Sequence, residues 1–180
     1  IFLGIDLGSS SIKLSVLDAE KGVSVCDITV PEFEMNIIAP EFGWAEQDPN
    51  AWWEYTKTGI RTLATKHNIN LKQIAGIGIS YQMHGLVLTD EKMNPVRPAI
   101  IWCDSRAANI GNETYDKLGP DFCHETILGS PGKLTASKFK WVKIKDRVVF
   151  AKAAQMMLPG DYIAAKLSGI APTSISGLCE

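Results

Sequence analysis

The sequence predicts an α/β domain whose mixed sheet starts with an antiparallel three-strand meander and is flanked by helices. Three observations predict it. Apolar and polar residues alternate in short runs near the N-terminus, a long amphipathic helix pattern follows, and an apolar β-rich run comes directly after that helix.

The first run, residues 2–6, is apolar and ends in the carboxylate of Asp6. In the second, residues 12–17, Ile12, Leu14 and Val16 share one face while Lys13 and Ser15 take the other. The third, residues 23–30, is rich in β-branched residues and follows a turn over residues 18–22. Short turns between sequential strands predict an antiparallel meander. Asp48-Pro49 then reads as a helix start, since Asp caps free N–H groups and Pro suits the first helical position. The helix is expected to reach about His67, with Trp52, Thr56, Ile60, Leu63 and Ala64 as its core stripe. On this reading the fourth conspicuous run, from Trp44 to Trp53, is explained almost entirely by the helix start.

Residues 74–80 read as a buried strand, parallel to a neighbour because a helix precedes it. Residues 86–89 and 99–102 are expected to be two more strands around a polar turn. The remainder reads as mainly helical: residues 105–118, residues 136–143 behind Thr135 as cap, and residues 161–167 stopped by Gly169.

Composition restricts function. Hydrophobic residues make up 46% and charged residues 21%, the balance of a globular chain. A formal net charge of -2 gives no electrostatic basis for a nucleic-acid or anionic-membrane partner. Apolar runs are too short to span a bilayer and no basic leader precedes the first strand, so a cytoplasmic location is expected. Cys26, Cys103, Cys123 and Cys179 form no CxxC pair, and His67, His84 and His124 lack metal-ligand spacing, so reduced thiols are expected and a zinc site is not.

Three stretches can carry chemistry. In Gly4-Ile5-Asp6-Leu7-Gly8-Ser9-Ser10-Ser11-Ile12-Lys13 a carboxylate ends a strand, a Gly/Ser turn follows, and a lysine lies on the returning strand. The turn's N–H groups can face phosphate oxygens, and Asp6 can hold Mg²⁺ directly or through water. An ordinary hairpin would use the same residues to satisfy its turn. Ser80-Tyr81-Gln82-Met83-His84-Gly85 follows a strand, where α/β proteins place ligands. Gln82 and His84 suit a polyol, although a loop histidine beside an inward-packing Met83 fits the pattern too. Trp102-Cys103-Asp104-Ser105-Arg106 offers an aromatic face and two charges to a sugar, and equally a helix cap with a core tryptophan.

These stretches, in this order, together with Trp44-Ala45-Glu46-Gln47-Asp48-Pro49, Gly132-Lys133-Leu134-Thr135-Ala136-Ser137-Lys138 and Leu158-Pro159-Gly160-Asp161-Tyr162-Ile163, resemble FGGY carbohydrate kinases over almost the whole chain. Within that family Gln82-Met83-His84-Gly85 is similar to the branch that phosphorylates D-xylulose; the glycerol branch carries Gln-Arg-Glu there. The resemblance implies the actin-like (ribonuclease H-like) ATPase fold, with residues 1–180 as the N-terminal, sugar-binding domain of a two-domain kinase. It implies ATP and Mg²⁺ as cofactors and D-xylulose as the small-molecule partner, with a homodimer as a compatible assembly.

By the same resemblance Asp6 is needed for activity and organises Mg²⁺, while Gly8, Ser9, Ser10 and Lys13 lie near the γ-phosphate. Met83 and His84 touch the ketose, with Gln82, Trp102 and Asp104 as further contacts. The family's catalytic base, an aspartate, is expected after residue 180, so residues 1–180 alone are expected to be inactive. Relatives carry extra residues at Lys143-Ile144 and Gly169-Ile170, where helix limits are expected to deviate. Three other readings stay open: an FGGY kinase for ribulose, gluconate or glycerol, an actin- or chaperone-like ATPase, and a non-catalytic sugar sensor.

Overall fold

The structure, a computed structural model, describes residues 1–174 and Gly177. The strands are β1 (Phe2–Leu7), β2 (Ile12–Asp18), β3 (Val23–Val30), β4 (Glu46–Gln47), β5 (Gly76–Tyr81), β6 (Val87–Thr89), β7 (Ala99–Ile100) and β8 (Gln155–Met157). The helices are α1 (Pro49–Lys66), α2 (Ala108–Leu118), α3 (Pro120–Ile127), α4 (Thr135–Lys145), α5 (Arg147–Lys152) and α6 (Pro159–Ser168). The chain divides into two compact units: Ile1–Asn36 with Asn50–Gln82, and Ile37–Pro49 with the residues from Met83 onward.

The first unit holds the four-stranded sheet, in the order β3-β2-β1-β5. The meander forms as the alternation predicts. Leu3, Ile5, Leu7, Ile12, Leu14 and Val16 are all buried, and the residues between them turn to the opposite face. The core stripe of α1 is Trp52, Thr56, Gly59 and Leu63; Ile60 and Ala64 are only half-buried. Gly59 enters the stripe because a Cβ there would stand 2.5 Å from Leu14 Cδ1. The buried Thr56 hydroxyl donates to the Trp52 carbonyl at 2.8 Å, so it brings no unsatisfied group into the core.

The crossover through α1 makes β5 parallel to β1, from Phe2↔Gly76 to Leu7↔Tyr81, as expected. The expectation of burial is corrected. No residue of β5 is buried, and Ile77 is 47% exposed. An apolar run signals a strand covered on both faces, but Gly76 and Gly78 bring no side chains and β5 lies at the sheet edge.

In the second unit, β4 pairs with β7 and β6 with β8, both antiparallel. A Leu86↔Ile100 bridge adds to this pairing. Leu86, Leu88, Ile100 and Val142 form a buried cluster, against which Val96, Phe139, Trp141 and Phe150 pack. The helix expected from residue 105 begins at Ala108, because residues 105–107 belong to the preceding turn. Thr135 is the first residue of α4 rather than its cap; Leu134 holds the cap position. Helix α4 continues through Lys143-Ile144 without a break. Helix α6 ends where expected, on Gly169 in the left-handed region at φ 78°.

Cys26, Cys103 and Cys123 are free thiols, and Cys179 lies outside the described residues. No helix among the described residues is long and apolar enough to cross a membrane.

Candidate active site

The carboxyl ends of the parallel pair β1 and β5 carry the first set of polar residues. Asp6 sits opposite Lys13 on β2 and opposite Ser80 on β5. Its Oδ1 accepts a 2.8 Å hydrogen bond from the Ser80 hydroxyl. Both Asp6 and Lys13 lie on the exposed face of the sheet. Beyond β1 the chain turns at once: Gly8 N–H donates to Ser11 O at 3.0 Å, and a Cβ on Gly8 would stand at the same distance from that oxygen. Close backbone approach, not a left-handed φ, is therefore what calls for glycine here. The Gly8 N–H is engaged within the turn, and the Ser10 carbonyl accepts from Met35 N–H at 2.8 Å. Gln82 extends the β1–β5 ladder by donating its N–H to Leu7 O at 2.8 Å. The turn after β1 and the residue after β5 are thus neighbours.

An open depression of about 550 Å³ covers this sheet face, lined by Asp6, Lys13, Ser15, Asp27, Thr29 and Ser80 among others. Hydroxyl hydrogen bonds from Ser15 and Ser24 hold the Asp27 carboxyl below the usual aspartate range. Sequence reasoning missed Ser80 and Asp27. Ser80 ends the strand expected over residues 74–80, and the β1–β5 register is what sets it beside Asp6.

The second unit carries Met83 and His84. Met83 is 58% exposed. His84 has a left-handed backbone, φ 58°, a conformation costing a non-glycine residue roughly 1–2 kcal/mol. The surroundings impose it. The His84 carbonyl accepts from Lys138 Nζ at 2.6 Å, and the Gly85 carbonyl accepts from the Thr135 hydroxyl at 3.3 Å. Gly85 itself lies so close to the Pro159 ring that a Cβ would collide with Cγ. Here again glycine answers close approach.

Trp102 and Cys103 stand at the corner of a turn closed by Asp104 N–H to Ile101 O at 3.1 Å, and both are exposed. Asp104 is buried, and its oxygens already have protein partners. Oδ2 accepts from Ala45 N–H at 2.6 Å and from Arg106 Nη2 at 2.7 Å, while Oδ1 accepts from Arg106 N–H at 2.9 Å. The Arg106 guanidinium also meets Glu46 at 2.7 Å and lies 3.8 Å from the Trp44 ring centre. Glu46 pairs in addition with Arg97, and Trp44 packs edge-on against Trp141. The run from Trp44 to Trp53 is therefore more than a helix start. Its first residues form β4 and enclose a buried ion network, which a reading of local signals could not reveal.

In the first unit a parallel strand pair, with Asp6 near the end of β1 and a tight Gly/Ser turn after it, is the kind of strand end at which α/β domains place ligands. The chain's family is clear. Over residues 1–179 the chain matches the profile of the FGGY family of carbohydrate kinases, N-terminal domain, and it belongs to that family. A xylulose kinase from Klebsiella pneumoniae is 34% identical over 169 residues, covering 94% of this chain and 34% of the relative. One from Bacillus subtilis is 33% identical over 174 residues, covering 97% and 34%. Among solved structures, a xyloylose kinase from Brucella ovis superposes with a TM-score of 0.80 at 34% identity, covering 91% of this chain and 33% of that one. A gluconate kinase from Lactobacillus acidophilus shares the fold, with a TM-score of 0.80, 24% identity and coverage of 94% and 33%. These neighbours have the actin-like ATPase fold that the resemblance implied. The chain spans about a third of the length of the relatives it matches.

Proposed function

We propose that the protein carrying this chain transfers the γ-phosphoryl group of ATP to D-xylulose, and that these residues supply its N-terminal, sugar-binding domain. One observation carries the reading: Gln82-Met83-His84-Gly85 lies directly after β5, in a chain 34% and 33% identical to two xylulose kinases over nearly its whole length. Phosphoryl transfer relies on positioning and charge neutralisation, and the residues present suit both. Asp6 and Lys13 face one another across β1 and β2 at the open sheet face, the first suited to Mg²⁺ and the second to phosphate. Gly8, Ser9 and Ser10 form the turn beside them.

Among the described residues no three acidic, histidine or cysteine groups form a metal cage. A lone exposed carboxylate fits Mg²⁺, which keeps several waters and takes its other oxygens from phosphate. Bound there, the ion would neutralise charge on the transferred group. Met83, His84, Gln82 and Trp102 are the proposed ketose contacts. Asp104 joins them through the turn that it anchors, since its oxygens are held by Ala45 and Arg106. A homodimer and a cytoplasmic location belong to the same reading.

Likeness to a gluconate kinase keeps a second FGGY substrate in view. The test is a substrate panel on the full-length protein with ATP and Mg²⁺: D-xylulose, D-ribulose, gluconate and glycerol. Turnover is expected with D-xylulose, and Asp6→Ala should lower it by about 10²-fold or more. Turnover with gluconate or glycerol alone would overturn the substrate, and ATP hydrolysis indifferent to sugar would overturn the reaction class.

A further inference from the structure

Lys138 is fully buried, which is rare for a lysine and costly for its charge. It lies on the first turn of α4, a helix that gives Val142 to the apolar cluster and packs the half-buried Phe139 and Trp141 against it. An unbranched apolar chain of similar length would fill the same volume without carrying an ammonium into the interior. Its polar end therefore needs a reason.

The hydrogen bonds supply one. Lys138 Nζ donates to His84 O and to Lys133 O, both at 2.6 Å. The first oxygen belongs to the left-handed residue of the Gln82-Met83-His84-Gly85 loop. The second belongs to the short 3-10 turn Pro131–Lys133 that leads into α4. Three residues earlier, Thr135 donates its hydroxyl to Gly85 O at 3.3 Å. Two consecutive carbonyls of the loop are thus held by side chains one turn apart on one helix. Fixing the direction of the His84 carbonyl together with its φ fixes the direction of its Cα–Cβ bond. The position from which the imidazole starts then follows from chirality alone.

We propose that Lys138, assisted by Thr135, is a positioning residue for sugar recognition: it holds His84 in its left-handed conformation and so presents the imidazole to the ketose. This rests on the sugar-kinase reading. It also assigns a role to the Gly132-Lys133-Leu134-Thr135-Ala136-Ser137-Lys138 run, as the mount of the sugar loop.

The experiment uses the full-length protein and three variants. Lys138→Met keeps the packing and removes the donor. Thr135→Val removes only a hydroxyl. Val142→Ala damages the same helix's packing against Leu86 and Leu88 and leaves both hydrogen bonds to the loop carbonyls in place. Lys138→Met should raise the KM for D-xylulose by about tenfold and Thr135→Val by about threefold, with the KM for ATP unchanged and kcat little altered. Val142→Ala should lower the melting temperature and leave the ketose KM unchanged. A ketose KM within twofold of wild type in every folded loop variant overturns the proposal, and Thr135→Val alone decides if Lys138→Met does not fold. Hydrogen–deuterium exchange resolved at the amides of residues 82–85, ahead of the cluster that Val142 shares with Leu86 and Leu88, provides a readout independent of turnover. Faster exchange at the amides of residues 82–85 in Lys138→Met and Thr135→Val, with Val142→Ala affecting only its packing partners Leu86 and Leu88, supports the positioning role, and unchanged exchange at residues 82–85 overturns it. A wild-type protein that turns over no ketose would refute the kinase reading while leaving that exchange result to decide this one.

Discussion

The guanidinium of Arg106 lies 3.8 Å from the ring centre of Trp44, and Trp141 lies beyond at 5.1 Å. Stacking and ion pairing act on the same group, since Asp104 and Glu46 each reach it at 2.7 Å. Segments far apart in the chain are joined there: the strand that contains Glu46, the turn that presents Trp102, and the middle of α4.

Removing one member of such a network leaves the others buried and uncompensated. Arg106→Met should destabilise the full-length protein by about 3–5 kcal/mol. Arg106→Lys, which retains charge but loses the fork and the flat stacking surface, should fall between that variant and wild type. Urea denaturation followed by the tryptophan signal measures both, and an Arg106→Lys variant as stable as wild type would contradict the bidentate geometry.

At Gly59 two effects oppose one another. Glycine to alanine inside a helix ordinarily stabilises by about 1 kcal/mol. Here the new methyl would meet Leu14 Cδ1 at 2.5 Å, and overpacking of this kind costs about 1–3 kcal/mol. Gly59→Ala should therefore lower the melting temperature instead of raising it. Combined with Leu14→Ala, the same change should cost less than it does alone, and a double-mutant cycle would read the coupling.

Acid should act on the turn between β6 and β7. The Asp90 carboxylate accepts from Asn94 N–H at 2.9 Å, Asn94 Nδ2 at 3.1 Å and Lys92 N–H at 2.8 Å. These bonds, the Asn94 backbone first, hold its pKa below the ordinary aspartate value. Because the folded value is depressed, the stability it contributes is present above the unfolded pKa and lost as pH falls through the folded one. An NMR titration should find the Asp90 midpoint below that of a model peptide. Asn94→Ala should move it upwards.

Much of the first unit was legible because its signals are local. Alternation in residues 12–17 places Ile12, Leu14 and Val16 in the core, and Pro49 starts α1 where sequence said a helix begins. That β5 runs parallel to a neighbour followed from the helix before it, while the structure supplies β1 as that neighbour. The second unit was less legible because its elements depend on distant partners. Strand β4 is two residues long and exists through Ala99 and Ile100. Thr135 looked like a cap because its alternative acceptor, Gly85 O, is far away in sequence. Lys138 sits among other lysines of α4 and carries no local mark of burial. The Asp6–Lys13 pair was visible as a motif, whereas the engagement of Asp104 by Ala45 and Arg106 could emerge only once the chain had folded.

The outer edge of β5 has a practical side. Gly-Ile-Gly-Ile-Ser-Tyr contains no charge and no proline, its Ile77 is about half exposed, and its second edge meets no other strand among the described residues. Strands of that kind invite sticking between copies. Preparations of residues 1–180 in isolation should therefore aggregate as concentration rises, and a single Ile77→Lys gatekeeper should keep them clear.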